Sequence, residues 1–389
     1  MKIKYFRPNT NEMQIPYFPH DILEQALMLV YFLLFFIQML YFWVFFRRLV
    51  FFRNKELDHS GEAVSVVICA RNEYFNLKNN LPLVLEQDYP DFEVVVVNDN
   101  SQDESLELLQ EMARGNSKLK IVNLSQELNF FTGKKFPLSL GIKSAAHDIL
   151  LLTDADCKPS SDRWIRNMAS KFRGDTEIVL GYGAYERKGS LLNMLIRYET
   201  LWAAIQYLSY ALSGRTYMGV GRNMAYRKSL FIKNKGFSSH YTVASGDDDL
   251  FINSVATKKN VAIEVGHESH TVSVAHTSTG AWVKQKRRHL TTWKYYRGRF
   301  KRLLGIWSLS QALFYVFFAV LLLLGYNIII TGGILLLRIV SYLLITKMSM
   351  NRLNERKLLV FSPIAELFLI IFYPVLSLVN VFSKTNKWK

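Results

Sequence analysis

The stretch "AVSVVICARNEYFNLKNNLPLVLEQDYPDFEVVVVNDNS" (63–101) decides the fold. Its opening, AVSVVICA (63–70), is short, β-branched and apolar on both faces, the pattern of a strand covered on both sides. YFNLKNNLPLVLEQ (74–87) follows with apolar residues at helical spacing, and FEVVVVNDNS (92–101) is a second buried strand running into a polar turn. Strand, helix and strand in such quick succession pair in parallel through a right-handed crossover. The alternation continues with a helix at 103–114, a strand at LKIVNL (119–124), a helix at 134–146 and a strand at DILLLTDAD (148–156). The pattern predicts an α/β domain with a Rossmann-like, mostly parallel sheet, and such sheets bind ligands beyond the carboxyl ends of their strands.

Those ends carry the polar residues. Strand one ends in ARNE (70–73), strand two in NDNS (98–101) and strand four in DADC (154–157). A single Asp at a strand end is an ordinary turn residue. Three polar, acidic ends in register make a site. Asp154 and Asp156 are carboxylates one residue apart, an arrangement suited to a divalent cation held for a phosphate-bearing substrate. Further on, GDDD (246–249) sets three carboxylates side by side. They repel one another, so a helix start is their natural place, but capping accounts for one of them and not for three.

Outward from this region the chain changes character. The 389 residues carry a net charge of +16, which fits nucleic-acid binding or basic flanks on membrane segments. Hydropathy selects the second reading. Residues 22–46 hold one charge, near their start, and are long enough to cross a bilayer as a transmembrane helix, after an N-terminal segment at 1–21. Residues 306–346 hold two more transmembrane helices with a break near 325–327, and 361–382 form a third C-terminal membrane or interfacial segment, weakened by Pro363, Glu366 and Pro374. Arg338, inside an apolar run, is expected to face the protein interior and a buried partner. Arg47, Arg48, Arg53 and Lys55 follow the first span and a basic, aromatic helix at 281–302 precedes the second, so the domain at 60–280 is expected on the cytoplasmic side. Much of the basic charge lies beside membrane segments, and nucleic acid is not expected as a partner. The C-terminal KTNKWK complicates the topology, because its lysines lie outside if 361–382 crosses. Cys69 and Cys157 suit a reducing compartment, and His267, His270 and His276 match no zinc spacing.

Taken in order, CARNE (69–73), VVNDNSQDES (96–105), GKKFPLSLGIKSA (133–145), LTDAD (152–156), GRNMAYRKSLF (221–231), SGDDDLF (245–251) and QKRRH (285–289) resemble family 2 glycosyltransferases of the GT-A fold. The resemblance is to the membrane-integrated branch that includes polysaccharide synthases and ceramide glucosyltransferases. It implies an integral protein of a bacterial inner membrane whose GT-A domain is flanked by transmembrane helices. Glu73 and Asp99 then hold the base and ribose of a nucleotide sugar, Ala70 gives the backbone room to approach it, and Lys134 or Lys135 lies near the diphosphate. Asp154 and Asp156 form the DxD motif, one or both of them binding Mg²⁺ or Mn²⁺, with Asp156 first as the direct ligand. Asp248 is the general base, with Asp247 and Asp249 as alternatives. Gly221 and Arg222 line the acceptor side, and Gln285 and Arg288 contact the acceptor or the diphosphate. His289 stands where the family's QxxRW motif has Trp, the sugar-stacking floor of a processive synthase, and Trp293 is the nearest substitute. The expectation is therefore an inverting enzyme that moves one sugar, first of all from a UDP-sugar, to a membrane lipid or glycan acceptor. A processive polysaccharide synthase comes second, and a membrane-anchored module that binds nucleotide sugar without turnover is the reading from another class.

Overall fold

A computed structural model describes residues 20–54, 61–125, 133–243 and 245–382. Nearly all of the expected N-terminal segment, Lys55 and the C-terminal lysines lie outside the described residues. Within them, ten strands form two sheets: β1 Val64–Ala70, β2 Phe92–Asp99, β3 Leu119–Leu124, β4 Ile149–Asp154, β5 Cys157–Pro159, β6 Ile178–Leu180, β7 Gly183–Tyr185, β8 Met224–Arg227, β9 Val261–Ile263 and β10 Thr271–Ser273. The large sheet runs β3-β2-β1-β4-β8-β6-β9 and the small one β5-β10-β7. In the large sheet the first four strands pair in parallel and β8 alone reverses, antiparallel to β4 and β6; in the small sheet β5 runs antiparallel to β10. The fold is the expected mostly parallel doubly wound sheet. Its chain direction switches at β1, which has β2 on one side and β4 on the other, so the crevice opens where their carboxyl ends diverge.

Alternation across the pleat explains why the strands read as continuous apolar runs. Val64, Val66 and Ile68 pack with Leu77, Leu81 and Val84 of the helix Tyr74–Leu85, while Val67 faces Leu138 and Ile142 of the helix Lys135–Ser144. That second helix sits close. A Cβ at Gly141 would meet Val97 Cγ2 at 2.7 Å and Val67 Cγ1 at 2.9 Å, so only glycine permits the contact.

Among the described residues, four helices are long and apolar enough to cross a membrane: Ile22–Val50, Gly298–Leu323, Ile328–Arg352 and Ser362–Phe382. The first passes through a π-helical stretch at Tyr41–Phe46 and extends four residues past the expected 46, because Leu49 and Val50 are buried in the core shared with the domain. The expected single helix at 281–302 is instead two pieces. Thr279–Leu290 ends where the Thr291 and Thr292 hydroxyls donate to the carbonyls of Arg288 (2.7 Å) and His289 (2.9 Å), and a new helix starts at Gly298. Arg338 is fully buried and does have partners. It donates to Gln38 Oε1 (2.8 Å) and Tyr315 OH (2.7 Å) and forms an ion pair with Glu366. Glu366 is thus the counter-ion that Arg338 requires, not a mark against its own helix.

Aromatic rings weld the domain to these helices. Trp202, on the long helix Leu191–Leu212, stacks on Tyr342 (5.4 Å, 1° between planes) and on Trp307 (6.2 Å, 17°), while Phe46 meets Trp307 edge-on at 5.0 Å. At about 0.5–1.5 kcal/mol per pair beyond area burial, such contacts fix the domain's pose on its membrane helices.

Candidate active site

Register brings the predicted strand ends together: Ala70 lies opposite Asn98, and Cys69 opposite Asp154. Asn72 (φ 55°) and Asn100 (φ 50°) turn the chain through the left-handed region, which Asn tolerates better than most residues. The loops after β1 and β2 are laced to each other. Asn72 N–H donates to Ser101 Oγ (3.0 Å), Gln102 N–H to Asn72 Oδ1 (2.7 Å), Glu73 N–H to Ser105 Oγ (3.0 Å) and Tyr74 N–H to Asp103 Oδ2 (3.1 Å). Burial works against the Asp103 charge, but hydrogen bonds from Ser105 and Tyr74 outweigh it and hold the carboxyl below its usual range. Glu73 accepts from Asn76 Nδ2 (2.5 Å), and Asp99 lies 4.0 Å from Arg71 Nη1. Ala70, Glu73 and Asp99 all line one cleft.

Asp154 closes β4, and Asp156 follows after Ala155 at the turn into β5. Burial raises both carboxyls, but Lys134, ion-paired to Asp154, pulls that one below its ordinary value, whereas Asp156 is raised further by Asp154 beside it. Asp154, Asp156 and Cys157 bring ligand atoms within 4.8 Å of one another. Burial pushes the Cys157 thiol well above its usual range, so the group offers carboxylate oxygens and a protonated sulfur. That donor set fits a hard divalent cation. Of the two lysines left open by the sequence, Lys134 lines the cleft. Lys135 does not: its buried ammonium donates to the carbonyls of His240 (2.8 Å), Val243 (2.6 Å) and Ser245 (2.7 Å).

Those carbonyls lead into the acidic run, whose three members have separate surroundings. Asp248 caps the helix Asp249–Val255; its Oδ1 accepts from Asp249 N–H (2.7 Å) and its Oδ2 from Gly221 N–H (2.8 Å). Burial, then the charges of Asp247 and Asp249, push its carboxyl up to about 8. Asp249 is buried and accepts from Thr292 Oγ1 (2.6 Å) and Tyr296 OH (2.8 Å), which ties the run to the segment after the basic helix. Asp247 lines the cleft beside them. Gly246 (φ 101°) starts the turn, where a Cβ would lie 2.5 Å from Leu250 Cδ1.

Arg222 lays its guanidinium over Tyr185 (4.1 Å) and donates to Ser273 Oγ (3.1 Å) and Ala184 O (3.3 Å). Gly221, Arg222, Gln285, Arg288 and His289 all line the cleft, and so does Trp293. Burial lowers the hold of Arg288 on its proton, and the charges of Asp247, Asp154 and Asp248 recover only part of it. The helix that carries these residues is strapped to the last apolar helix. Trp282 stacks on Phe372 (4.8 Å, 11°), Arg287 Nε donates to Asn380 Oδ1 (2.8 Å), and Lys286 pairs with Glu199 (2.5 Å), which also accepts from Tyr373 OH (2.6 Å). Glu199 and Gln206 line the cleft, and sequence reasoning passed over them. A signal was there: two polar residues seven positions apart, and so on one face of the helix. His270 directs a ring nitrogen to Val265 O (3.1 Å) and packs against Tyr182, a structural role.

Residues 65–234 match the model for glycosyl transferase family 2. The chain is similar to a poly-beta-1,6-N-acetyl-D-glucosamine synthase of Staphylococcus epidermidis, 28% identical over 180 residues, covering 45% of this chain and 42% of that one. It is also similar to an uncharacterized glycosyltransferase of Synechocystis, 35% identical over 119 residues, covering 30% of this chain and 36% of that one. The chain thus spans less than half the length of these curated relatives. Among solved structures it is similar in fold to a mannosyltransferase of Pyrobaculum calidifontis in complex with GDP-Man and Mn²⁺. The TM-score is 0.55 at 18% identity, over 89% of this chain and 99% of that one.

Proposed function

We propose that this chain, which carries a glycosyltransferase family 2 domain in a GT-A fold flanked by membrane helices, moves a sugar from a nucleotide sugar to an acceptor hydroxyl with inversion at the anomeric carbon. The observation that carries the reading is the convergence of Glu73, Asp99, Asp154, Asp156, Asp247 and Asp248 with Lys134, Arg222 and Arg288 on one cleft. A UDP-sugar is the donor we assign: Glu73 and Asp99 accept from the base N–H and ribose hydroxyls. Lys134, Arg222 and Arg288 meet the diphosphate, with guanidinium forks suited to its oxygens. Asp156 and Asp154 would hold Mg²⁺ or Mn²⁺, which when bound neutralises charge on the departing nucleoside diphosphate.

Asp248 takes the proton of the acceptor hydroxyl. The oxygen forms its bond to the anomeric carbon as the bond to the diphosphate breaks on the opposite face, and the diphosphate leaves with the electron pair. A carboxylate whose pKa stands near working pH is a competent base for this step. The basic ends Arg47, Arg48, Lys301 and Arg302 favour the cytoplasmic side of a bacterial inner membrane. A glycan acceptor is the second reading, supported by the similarity to a poly-N-acetylglucosamine synthase. Purified full-length protein, given a panel of radiolabelled nucleotide sugars and membrane extract, should label a product; Asp248→Asn should abolish labelling while nucleotide binding survives. Undiminished transfer by that variant would remove Asp248 as the base.

A further inference from the structure

Asp154 faces two claims. As the last residue of β4 it offers carboxylate oxygens to a divalent cation beside Asp156, yet it already holds a cation of the protein's own. Lys134 Nζ donates to Asp154 Oδ1, and both residues line the cleft. The ammonium is largely out of solvent, its side chain 13% exposed. Asp156 accepts from Cys157 Sγ (3.4 Å), a weak donor, so Asp154 is the carboxylate of the two whose charge a protein cation matches. Other cations of the cleft have other partners. Arg222 donates to Ser273 Oγ (3.1 Å) and Ala184 O (3.3 Å) with its plane over Tyr185, and Lys286 pairs with Glu199 (2.5 Å).

Chain geometry limits how Lys134 can respond to a ligand. It stands at the N-cap of the helix Lys135–Ser144, and the next residue clamps that helix start, because Lys135 Nζ donates to the carbonyls of His240, Val243 and Ser245. The backbone is held, so Lys134 changes partner by turning its own side chain. A lysine suits that exchange: its ammonium is a compact charge on a flexible four-carbon stem, without the fixed fork of an arginine. Two cations do not share one carboxylate without cost. A divalent ion at Asp154 and Asp156 would face the Lys134 charge across a single carboxyl group, in a site only partly open to water, where like charges repel more strongly than in bulk. A diphosphate reverses the balance, because its oxygens accept the ammonium and free Asp154 for the divalent ion.

We infer that Lys134 is a built-in stand-in for the metal: it pairs with Asp154 before the donor binds, moves to the diphosphate when the donor arrives, and so makes cation binding depend on the nucleotide. This role rests on the transferase reading of the same cleft and adds the order in which its ligands are held. The cation enters with the nucleotide sugar and leaves with the nucleoside diphosphate, as Lys134 returns to Asp154. Coupling between two ligands is reciprocal, so the factor by which UDP tightens Mn²⁺ equals the factor by which Mn²⁺ tightens UDP.

The test measures binding, not turnover, on the full chain in detergent. Free Mn²⁺ is followed by its electron paramagnetic resonance signal without and with saturating UDP, and UDP by calorimetry without and with saturating Mn²⁺. In wild type, UDP should tighten Mn²⁺ by about tenfold or more. Lys134→Met should bind Mn²⁺ alone about tenfold more tightly than wild type, and its coupling factor should shrink about tenfold in both directions of the cycle. Lys134→Arg, which keeps a cation at Asp154, should bind Mn²⁺ alone as weakly as wild type. Asp156→Asn added to Lys134→Met should lose the gained affinity, which places the ion at these carboxylates. Lys134→Gln takes the place of Lys134→Met if that variant misfolds, judged by its unfolding temperature. Mn²⁺ affinity no higher than wild type in the folded neutral variant, with coupling intact, overturns the inference and leaves the transferase reading standing. Wild type that binds Mn²⁺ as tightly without UDP as with it overturns the inference in the same way. Absence of UDP binding by wild type, with or without Mn²⁺, brings down the transferase reading, and the inference with it.

Discussion

Three adjacent aspartates look interchangeable in sequence, yet each has its own environment. Asp249 is committed to Thr292 and Tyr296, so its oxygens serve structure. Asp248 stands at about 8 because burial and two neighbouring charges disfavour its ionised form. A base works only when deprotonated, so kcat/KM should fall as pH drops through about 8, losing about tenfold per unit on the acid side. Asp248→Asn should cost about a thousandfold in kcat and Asp247→Asn much less; the reverse order would move the base to Asp247. The two lysines of GKKF separate in the same way. Lys135→Met orphans three carbonyls and should lower stability by about 3 kcal/mol, read as a fall in unfolding temperature. Lys134→Met should leave that temperature nearly unchanged and raise the donor KM by about tenfold. The type of residue was legible at both places. The division of labour was not, because it depends on which carbonyls and hydroxyls the fold delivers to each side chain.

Elements carry a second level of meaning. Pro363, Glu366 and Pro374 read as weaknesses of the last helix, and Arg338 as an anomaly of the one before it. Paired, Arg338 and Glu366 tie three helices together, with Gln38 adding the first. Removing one partner strands a buried charge, so Arg338→Met should destabilise the protein by about 3–5 kcal/mol. The double variant Arg338→Met with Glu366→Leu should recover much of that loss, measured as thermal unfolding in detergent. A single variant no less stable than wild type would deny the pair its structural role. Strand and helix positions followed from local periodicity, and observed limits fall within two residues of the expected ones for β1 to β4. The segment 281–302 did not, since hydroxyl caps and the docking of Tyr296 on Asp249 end its helix early.

At the scale of the whole molecule, the last helix is joined to the other apolar helices by its first half and to the domain and the basic helix by its second. Ser362 O accepts from Tyr342 (2.9 Å), Tyr373 reaches Glu199, and Asn380 exchanges hydrogen bonds with Arg287 on the basic helix (2.8 and 2.9 Å). Its other face, with Ile364, Leu367, Phe368, Ile371, Val375 and Leu378, is exposed and wholly apolar. We propose that this helix, hydrogen-bonded on one side to Glu199 and Arg287 and apolar on the other, lies along the membrane interface. A protease-cleavable tag after Lys389 should therefore be cut from the same side of sealed vesicles as the surface of the α/β domain; protection of the tag alone would show that the helix crosses. The alternation of strands and helices, the polar strand ends, the acidic run and the apolar helices were all legible in the sequence, because each rests on periodicity or on the chemistry of a few neighbouring residues. Tertiary structure alone decided which lysine enters the cleft, which aspartate is perturbed and where Arg338 finds its counter-ion. Those depend on contacts between residues tens to hundreds of positions apart, and no local pattern encodes them.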